Sequence, residues 1–201
     1  MALNSSFHFP TIVYQEQKPE WVTQTLEVCQ PHFDYIKKIE TPTKTFPVHQ
    51  TLTNLHKDVK FNYLTSFILE KSKEILTSQG YNLDNYELYF DELWAQEVLT
   101  YGHHLPHVHN TCQISGFFFL KCPEDGTYPI FYDPRPGKLM SDLPEIDKNI
   151  ITASSNEFHC KPIPGLFLFF NSWLTHCFQL SASETPSKFL HFNIAARKIL
   201  V

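Results

Sequence analysis

The sequence is poor in glycine, in basic runs and in long apolar segments, and these absences narrow the class of protein. Only 6 glycines occur in 201 residues, beside 14 prolines and 18 phenylalanines. Prolines between short apolar runs favour a β-rich domain with defined loops. The formal net charge is −5 and no basic run occurs, so a nucleic-acid backbone is not an expected partner. No apolar stretch nears the roughly 20 residues needed to cross a bilayer, so a membrane is not expected either.

The N-terminus and the cysteines indicate an intracellular protein. The opening MALNSSFHFPTIVY lacks the basic start and the long apolar run of a signal peptide. The five cysteines are odd in number and form no close CxxC pair. We therefore expect reduced thiols and a cytoplasmic location. The sequence leaves the oligomeric state open.

The length predicts one domain, 1–201, with a helical support over 1–85 and a strand-rich core over 86–201. Helical spacing of apolar residues predicts a helix over 58–80, packed outside a sheet, and 19–40 reads as helical or irregular. Short strands broken by Pro, Gly, Asn and Asp favour a barrel or sandwich. They are predicted at 7–15, 86–101, 107–122, 128–133, 150–154, 157–163, 165–170, 174–180 and 188–199.

A spaced set of histidines carries the strongest chemical signal. His107 and His109 are one residue apart and should share one face of a strand, because side chains alternate with period two. His176, from a distant strand, can complete a facial set of three metal ligands. Such a set leaves the other side of the metal open for substrate and oxygen. Lys188, twelve residues later, could hold a carboxylate that chelates the same metal, so the pattern predicts an oxygenase.

Several blocks together resemble the 2-oxoglutarate/Fe(II)-dependent oxygenases, in particular a subgroup common in phage and marine bacterial genomes. Their order and spacing over roughly residues 48–199 carry the resemblance. The blocks are WAQ (94–96), HVHN (107–110), SGFFFL (115–120), FYDPRPG (131–137), PIPGLFLFFNSWLTH (162–176) and KFLHFNIAAR (188–197). The resemblance implies a double-stranded β-helix (a cupin-like jelly roll, mainly β, with flanking N-terminal helices) that uses Fe(II), 2-oxoglutarate and O₂. A phage gene would place the protein in the host cytoplasm.

The resemblance also implies roles for single residues. His107, His109 and His176 would bind the metal, with no catalytic residue beyond these ligands. Lys188 stands where the subgroup usually has arginine, and it would pair with the far carboxylate of 2-oxoglutarate. Asn110 and Asn193 could hydrogen-bond the cosubstrate, although each could equally be an ordinary turn or strand-end residue.

The sequence departs from the wider superfamily at its second ligand, where H-x-D or H-x-E is usual and His109 stands here. With Lys188 in the site, Fe(II), three neutral histidines and 2-oxoglutarate would carry one net positive charge, which is costly in an interior. Asp133 is therefore an alternative ligand to His109. Arg197 is an alternative anchor for the carboxylate, and His103 and His104 either line the pocket or face solvent.

Three functions remain open at this point. The first is a 2-oxoglutarate- and Fe(II)-dependent hydroxylase that acts on a small molecule or a peptide and releases succinate and CO₂. The second is a three-histidine, cupin-type metalloenzyme that works without 2-oxoglutarate. The third is a phage structural or binding module that kept the barrel and lost the chemistry.

Overall fold

Two sheets and two helices build the molecule. The computed structural model describes residues 4–6, 8–140 and 143–199. Within them the helices are α1 (Val22–Ile39) and α2 (Asn62–Ser78). The strands are β1 (Val13–Gln17), β2 (Val48–Gln50), β3 (Tyr86–Val98), β4 (His104–His107), β5 (Ile114–Lys121), β6 (Pro129–Tyr132), β7 (Glu157–His159), β8 (Leu166–Asn171), β9 (His176–Phe178) and β10 (Ser187–Lys198).

The sheets have the strand orders of a double-stranded β-helix. The larger sheet runs β1-β8-β5-β10-β3-β2 and the smaller runs β4-β9-β6-β7. Every neighbouring pair is antiparallel. The predicted mainly β jelly roll with N-terminal helices is therefore confirmed.

The two helices cover the outer face of the larger sheet. In α1 the buried positions Thr25, Cys29, Phe33 and Ile36 follow helical spacing and form one stripe. This stripe and the buried face of α2 join Leu190 and Phe192 of β10 in one apolar core. The helix predicted over 58–80 is confirmed as α2 with a 3-10 turn before it. In that turn the Asp58 carboxylate accepts from the Lys60 backbone N–H, and Gly80 follows the end of α2 at φ +91°.

The inner face of the larger sheet turns to the smaller sheet, and phenylalanine fills the space between them. Strand β10 shows both faces, because alternate residues point opposite ways. Phe189 packs inward in the inter-sheet core, whereas Leu190 packs toward the helices. The other inward rings are Phe117, Phe119, Phe131, Phe170 and Phe178.

Several sequence expectations differ from the structure. The single strand expected over 107–122 is interrupted, because β4 ends at His107 and β5 begins at Ile114. Residues 150–154 were expected to form a strand but lie in an exposed loop of turns, where Ile150 and Ile151 are each more than half exposed. Their β-branched residues suit a strand, yet no neighbouring strand pairs with them among the described residues. The opening strand lies at Val13–Gln17, later than 7–15. The short strand β2 was missed, because three residues carry too little periodicity to detect.

The larger sheet takes strands from both parts of the chain. β1 pairs with β8, and β2 pairs with β3. We therefore infer one domain in which residues 1–85 contribute two strands as well as helical support. Neither helix of the described chain has the length and apolarity that crossing a bilayer requires.

Candidate metal centre

Three histidines lie close together between the two sheets, beside the edge strand β4 of the smaller sheet. His107 is the last residue of β4 and lies opposite His176, the first residue of β9. His109 follows two residues later, and its backbone N–H donates to the Ser172 carbonyl at 2.9 Å. The ring centroids lie 4.4 Å apart for His107 and His176, and 5.0 Å apart for His107 and His109. One nitrogen from each of the three rings lies within 4.8 Å of the other two.

Backbone carbonyls set the tautomers of two of these rings. The Nδ1–H of His107 donates to the Leu105 carbonyl at 2.7 Å, and the Nδ1–H of His176 donates to the Leu174 carbonyl at 3.0 Å. Since a carbonyl only accepts, the proton sits on Nδ1 and each Nε2 keeps its lone pair. This is the arrangement in which a neutral imidazole binds a metal through Nε2.

His109 is held differently, through Asn193. The Asn193 Nδ2 donates to the Glu92 carboxylate at 3.0 Å and lies 3.3 Å from Nδ1 of His109. Because the carboxylate accepts only, the amide orientation is fixed and Nδ1 of His109 faces a donor. For His109 to bind a metal through Nε2, its proton must move to Nδ1 and the Asn193 amide must turn.

Burial keeps the rings of His109 and His176 uncharged. Burial, with a smaller contribution from the neighbouring histidines, lowers the pKa of His176 to about 3. The same causes lower the pKa of His109 to about 4. Phe117 and Phe170 pack on His176 with ring centroids 5.7 and 4.8 Å away. Near neutral pH both histidines are therefore unprotonated, as metal ligands must be.

The cluster fits a metal ion better than it fits an ordinary core. The Nε2 atoms of His109 and His176 are buried, and neither finds a hydrogen-bond partner among the described residues. Such orphaned buried atoms are rare in finished interiors. Imidazole nitrogens suit iron among other transition metals, and a facial set of three leaves open positions.

Lys188 does not join this cluster. It lies opposite Glu97 of β3, whose carboxylate it meets at 3.1 Å, and its Nζ stands 5.1 Å from the ring centre of Phe33 in α1. Lys37 of α1 binds the same carboxylate. Lys188 therefore points to the helices, on the face of β10 opposite the histidines. The expected role of Lys188 as the carboxylate anchor is at odds with this position.

Other predicted residues are also placed apart from the cluster. The side chain of Asn110 is exposed in the turn after His109. Asp133 binds Arg135 at 2.7 Å in the loop after β6 and does not belong to the metal-binding group. Arg197 pairs with Glu87 at the exposed end of β3. Asn193 does reach the site, but its amide is engaged by protein groups, Glu92 and Ser115.

A cavity of about 140 Å³ adjoins the histidines inside the barrel. His107 and His109 line it together with Phe46, Gln50, Trp94, Gln96, His104, Phe178 and His191. His104, which the sequence left open between pocket and solvent, lies in the pocket. Trp94 and His191 also line it, and neither was expected there. The signal for His191 was present, since it lies two residues before Asn193 and so faces the same way.

A larger groove of about 540 Å³ lies elsewhere, between β1 and the loop after β6. Phe131, Asp133 and Arg135 are among its walls, and the three clustered histidines are not among the described residues that line it. The groove is wide enough for a ligand, but the candidate metal chemistry lies in the smaller cavity.

Solved structures share this fold. A Pseudomonas putida prolyl-4-hydroxylase is 12% identical, with a TM-score of 0.63 over 92% of this chain and 93% of that one. The epimerase SnoN of nogalamycin biosynthesis, in complex with Fe3+, alpha ketoglutarate and nogalamycin RO, is 10% identical, with a TM-score of 0.65 over 94% and 82%. The viral collagen prolyl hydroxylase of Paramecium Bursaria Chlorella virus-1, as its 2OG complex, is 11% identical, with a TM-score of 0.55 over 94% and 96%.

At the sequence level the family is explicit, although no curated protein matches the chain. Residues 92–193 match the model of the family described as "Putative 2OG-Fe(II) oxygenase". That span is slightly more than half of the chain, and it runs from the middle of β3 through the histidine cluster to Asn193 in β10. The chain belongs to the 2-oxoglutarate- and Fe(II)-dependent oxygenase family.

Proposed function

We propose that this protein is a 2-oxoglutarate-dependent hydroxylase whose Fe(II) is held by His107, His109 and His176. The observation that carries the proposal is the set of three converging imidazoles beside a small cavity, with the Nε2 atoms of His109 and His176 buried and unpartnered among the described residues. A packed core would leave neither the orphaned nitrogens nor the cavity.

The chemistry supplied by the bound group follows from the family. With Fe(II) bound, 2-oxoglutarate and O₂ give succinate and CO₂, and the second oxygen atom enters a C–H bond of the substrate as a hydroxyl. The chain supplies the geometry. Backbone carbonyls hold His107 and His176 in the tautomer that leaves Nε2 free for a metal. His109 completes the set of ligands once the Asn193 amide turns.

The phenylalanine shell supports the same proposal. Rings of Phe117, Phe131 and Phe170 surround His176, so the inner side of the site is apolar and dry. Such surroundings strengthen metal–ligand interactions and limit side reactions with water. The outer rim is exposed at Val108 and Trp173, which are 40% and 51% accessible. We propose that a small molecule or a peptide approaches over this apolar rim.

The proposal of hydroxylation is more specific than the assignment to the oxygenase family. Prolyl hydroxylases share the fold, but so do an epimerase and a carbocyclase, so fold alone does not choose between outcomes. A proline-containing peptide, a free amino acid and a small metabolite are the first substrate classes to test.

The test is a reconstitution with Fe(II) under argon, followed by 2-oxoglutarate and then oxygen. We expect a visible charge-transfer band when 2-oxoglutarate binds, and then succinate together with a product one oxygen atom heavier than the substrate. The His176→Ala protein is the control and should show neither. Bound iron without a band would favour the three-histidine metalloenzyme that works without 2-oxoglutarate, and failure to bind iron would favour the non-catalytic module.

A further inference from the structure

Several polar atoms that line the cavity beside the histidines have no hydrogen-bond partner among the described residues. Among its described lining residues, Trp94 Nε1, Gln96 Oε1, His104 Nε2 and His191 Nε2 are buried without a hydrogen-bond partner. The Trp94 and His191 rings touch, with centroids 4.1 Å apart. Three of these four atoms can donate an N–H, so the cavity presents donors to whatever occupies it.

The described lining of the same cavity lacks a lysine or arginine side chain. The carboxylate anchor expected from the sequence, Lys188, is bound to Glu97 on the helix side of the sheet. An acid in this cavity therefore has to be held by uncharged donors. Two or three N–H groups are enough to stabilise a buried carboxylate.

The sum of the charges around the metal also favours uncharged donors over a lysine or arginine. The two positive charges of Fe(II) are matched by the two carboxylates of 2-oxoglutarate, and the three ligand histidines are neutral. A buried lysine would add one unpaired positive charge, at a large cost. With His109 in place of a carboxylate ligand, the metal, its three ligands and the cosubstrate sum to zero without a cation, and the Glu92 carboxylate that holds Asn193 adds negative charge beside them.

We propose that this cavity holds 2-oxoglutarate and that the N–H groups of Trp94, His191 and His104 bind its remote carboxylate in place of a lysine or arginine. The inference rests on the proposed function, because it assumes that the 2-oxo acid end chelates the iron of the three histidines. The volume of about 140 Å³ lies well below that of sites for drug-sized ligands, which suits a small acid.

The test compares three variants by calorimetric titration of 2-oxoglutarate into Fe(II)-loaded protein under argon. Trp94→Phe keeps a ring and removes the donor, and His191→Leu removes the second donor. We expect each to raise the Kd about tenfold or more, as for a lost hydrogen bond to a charged group. Lys188→Met is the matched control, and we expect a change of less than about twofold, because Lys188 faces the helices.

A second ligand separates carboxylate recognition from general damage. 2-Oxopentanoate has the same chain with a methyl in place of the remote carboxylate. Wild type should prefer 2-oxoglutarate, and Trp94→Phe should lose most of that preference while keeping its affinity for 2-oxopentanoate. An unchanged preference in both Trp94→Phe and His191→Leu overturns the inference, and so does a preference lost in Lys188→Met.

Iron content, measured first by elemental analysis, keeps the two proposals apart. A wild-type protein without iron refutes the proposed function. A protein with one equivalent of iron whose affinity for 2-oxoglutarate depends on Lys188 refutes only the uncharged pocket. Quenching of Trp94 fluorescence by 2-oxoglutarate, absent in Trp94→Phe and retained in Trp173→Phe, gives an independent readout that needs no turnover.

Discussion

At the scale of the residue, strand parity decides which side chains of β10 belong to the site. His107 and His109 were predicted to share one face of a strand. Their rings do lie together, but β4 ends at His107 and His109 lies in the loop that follows, so the loop and not strand parity places His109. Strand parity does place Lys188 and His191 on opposite faces of β10, because they are an odd number of residues apart. Sequence spacing alone does not say which face of β10 turns inward. The pairing of β10 with its neighbours settles that, and it is a property of the fold.

Removal of either His107 or His176 should abolish iron binding. His107→Ala and His176→Ala each take away an Nε2 whose lone pair is already exposed to the metal by a backbone hydrogen bond. Elemental analysis after anaerobic reconstitution should find far less than one equivalent of iron in both. His103→Ala is the control, since His103 hydrogen-bonds the Tyr101 carbonyl and is not part of the three-histidine group among the described residues, so it should leave the iron content unchanged. A full equivalent in either of the first two variants contradicts the assignment.

His109 and Asp133 can be separated by the same measurement. His109→Leu should bind iron poorly, whereas Asp133→Ala should retain it, because the Asp133 carboxylate is bound to Arg135. His109→Asp should still bind Fe(II), since a carboxylate is also an iron ligand. The reverse order, with iron kept in His109→Leu and lost in Asp133→Ala, would make Asp133 the ligand.

At the scale of the element, long periodic segments were predicted well and short ones were not. The second helix and the strands β3, β8 and β10 lie close to their expected ranges, and β5 matches only the second half of the strand expected over 107–122. The false strand at 150–154 and the missed β2 are both short, and tertiary pairing rather than local preference decides such segments.

Gly116 tests how closely β5 packs against its neighbours. An added Cβ would come within 2.2 Å of the Leu168 carbonyl oxygen and 2.3 Å of the Phe192 ring. Gly116→Ala should therefore lower the free energy of unfolding by about 1–3 kcal/mol, as overpacking does. Gly137→Ala meets no atom within 4 Å and should change it little. Denaturant unfolding of the two variants checks this, and equal stability would contradict the described packing.

Glu97 joins α1 to the sheet and should make stability depend on pH. Burial raises its pKa, but the ion pairs with Lys37 and Lys188 outweigh burial and hold the pKa below its ordinary value. A carboxyl with a depressed folded pKa stabilises the protein above its unfolded pKa and loses that contribution as the pH falls through the folded pKa. Glu97→Gln should thus cost about 1–3 kcal/mol at neutral pH, and less in acid.

The measurement is denaturant unfolding of wild type and Glu97→Gln at a series of pH values from neutral to acid. Glu87→Gln on the same strand is the control. Its pair with Arg197 is more than half exposed on both sides, so the expected change is about 0–1 kcal/mol at every pH. A deficit in Glu97→Gln that stays constant into acid would show that the ion pairs do not stabilise the fold.

At the scale of the whole molecule, the architecture and the family were predictable, whereas the pocket chemistry was not. The order of the blocks along the chain predicts the jelly roll, because order and spacing survive where single residues change. The contents of the cavity depend on residues from β2, β3, β4 and β10 that meet only in the folded protein. Trp94 and His191 illustrate this, since neither was expected from the sequence to line the pocket.

The place of β10 in the larger sheet has a consequence for how the protein is made. The strand lies between β3 and β5, yet it is the last of the ten to be synthesised. Until residue 198 has left the ribosome, β3 and β5 each expose an unpaired edge rich in aromatic residues, which is a template for aggregation. Completion of the larger sheet therefore waits for contacts between distant parts of the chain, which slows folding. A chain stopped before Ser187 should be recovered as aggregate, with or without iron in the medium.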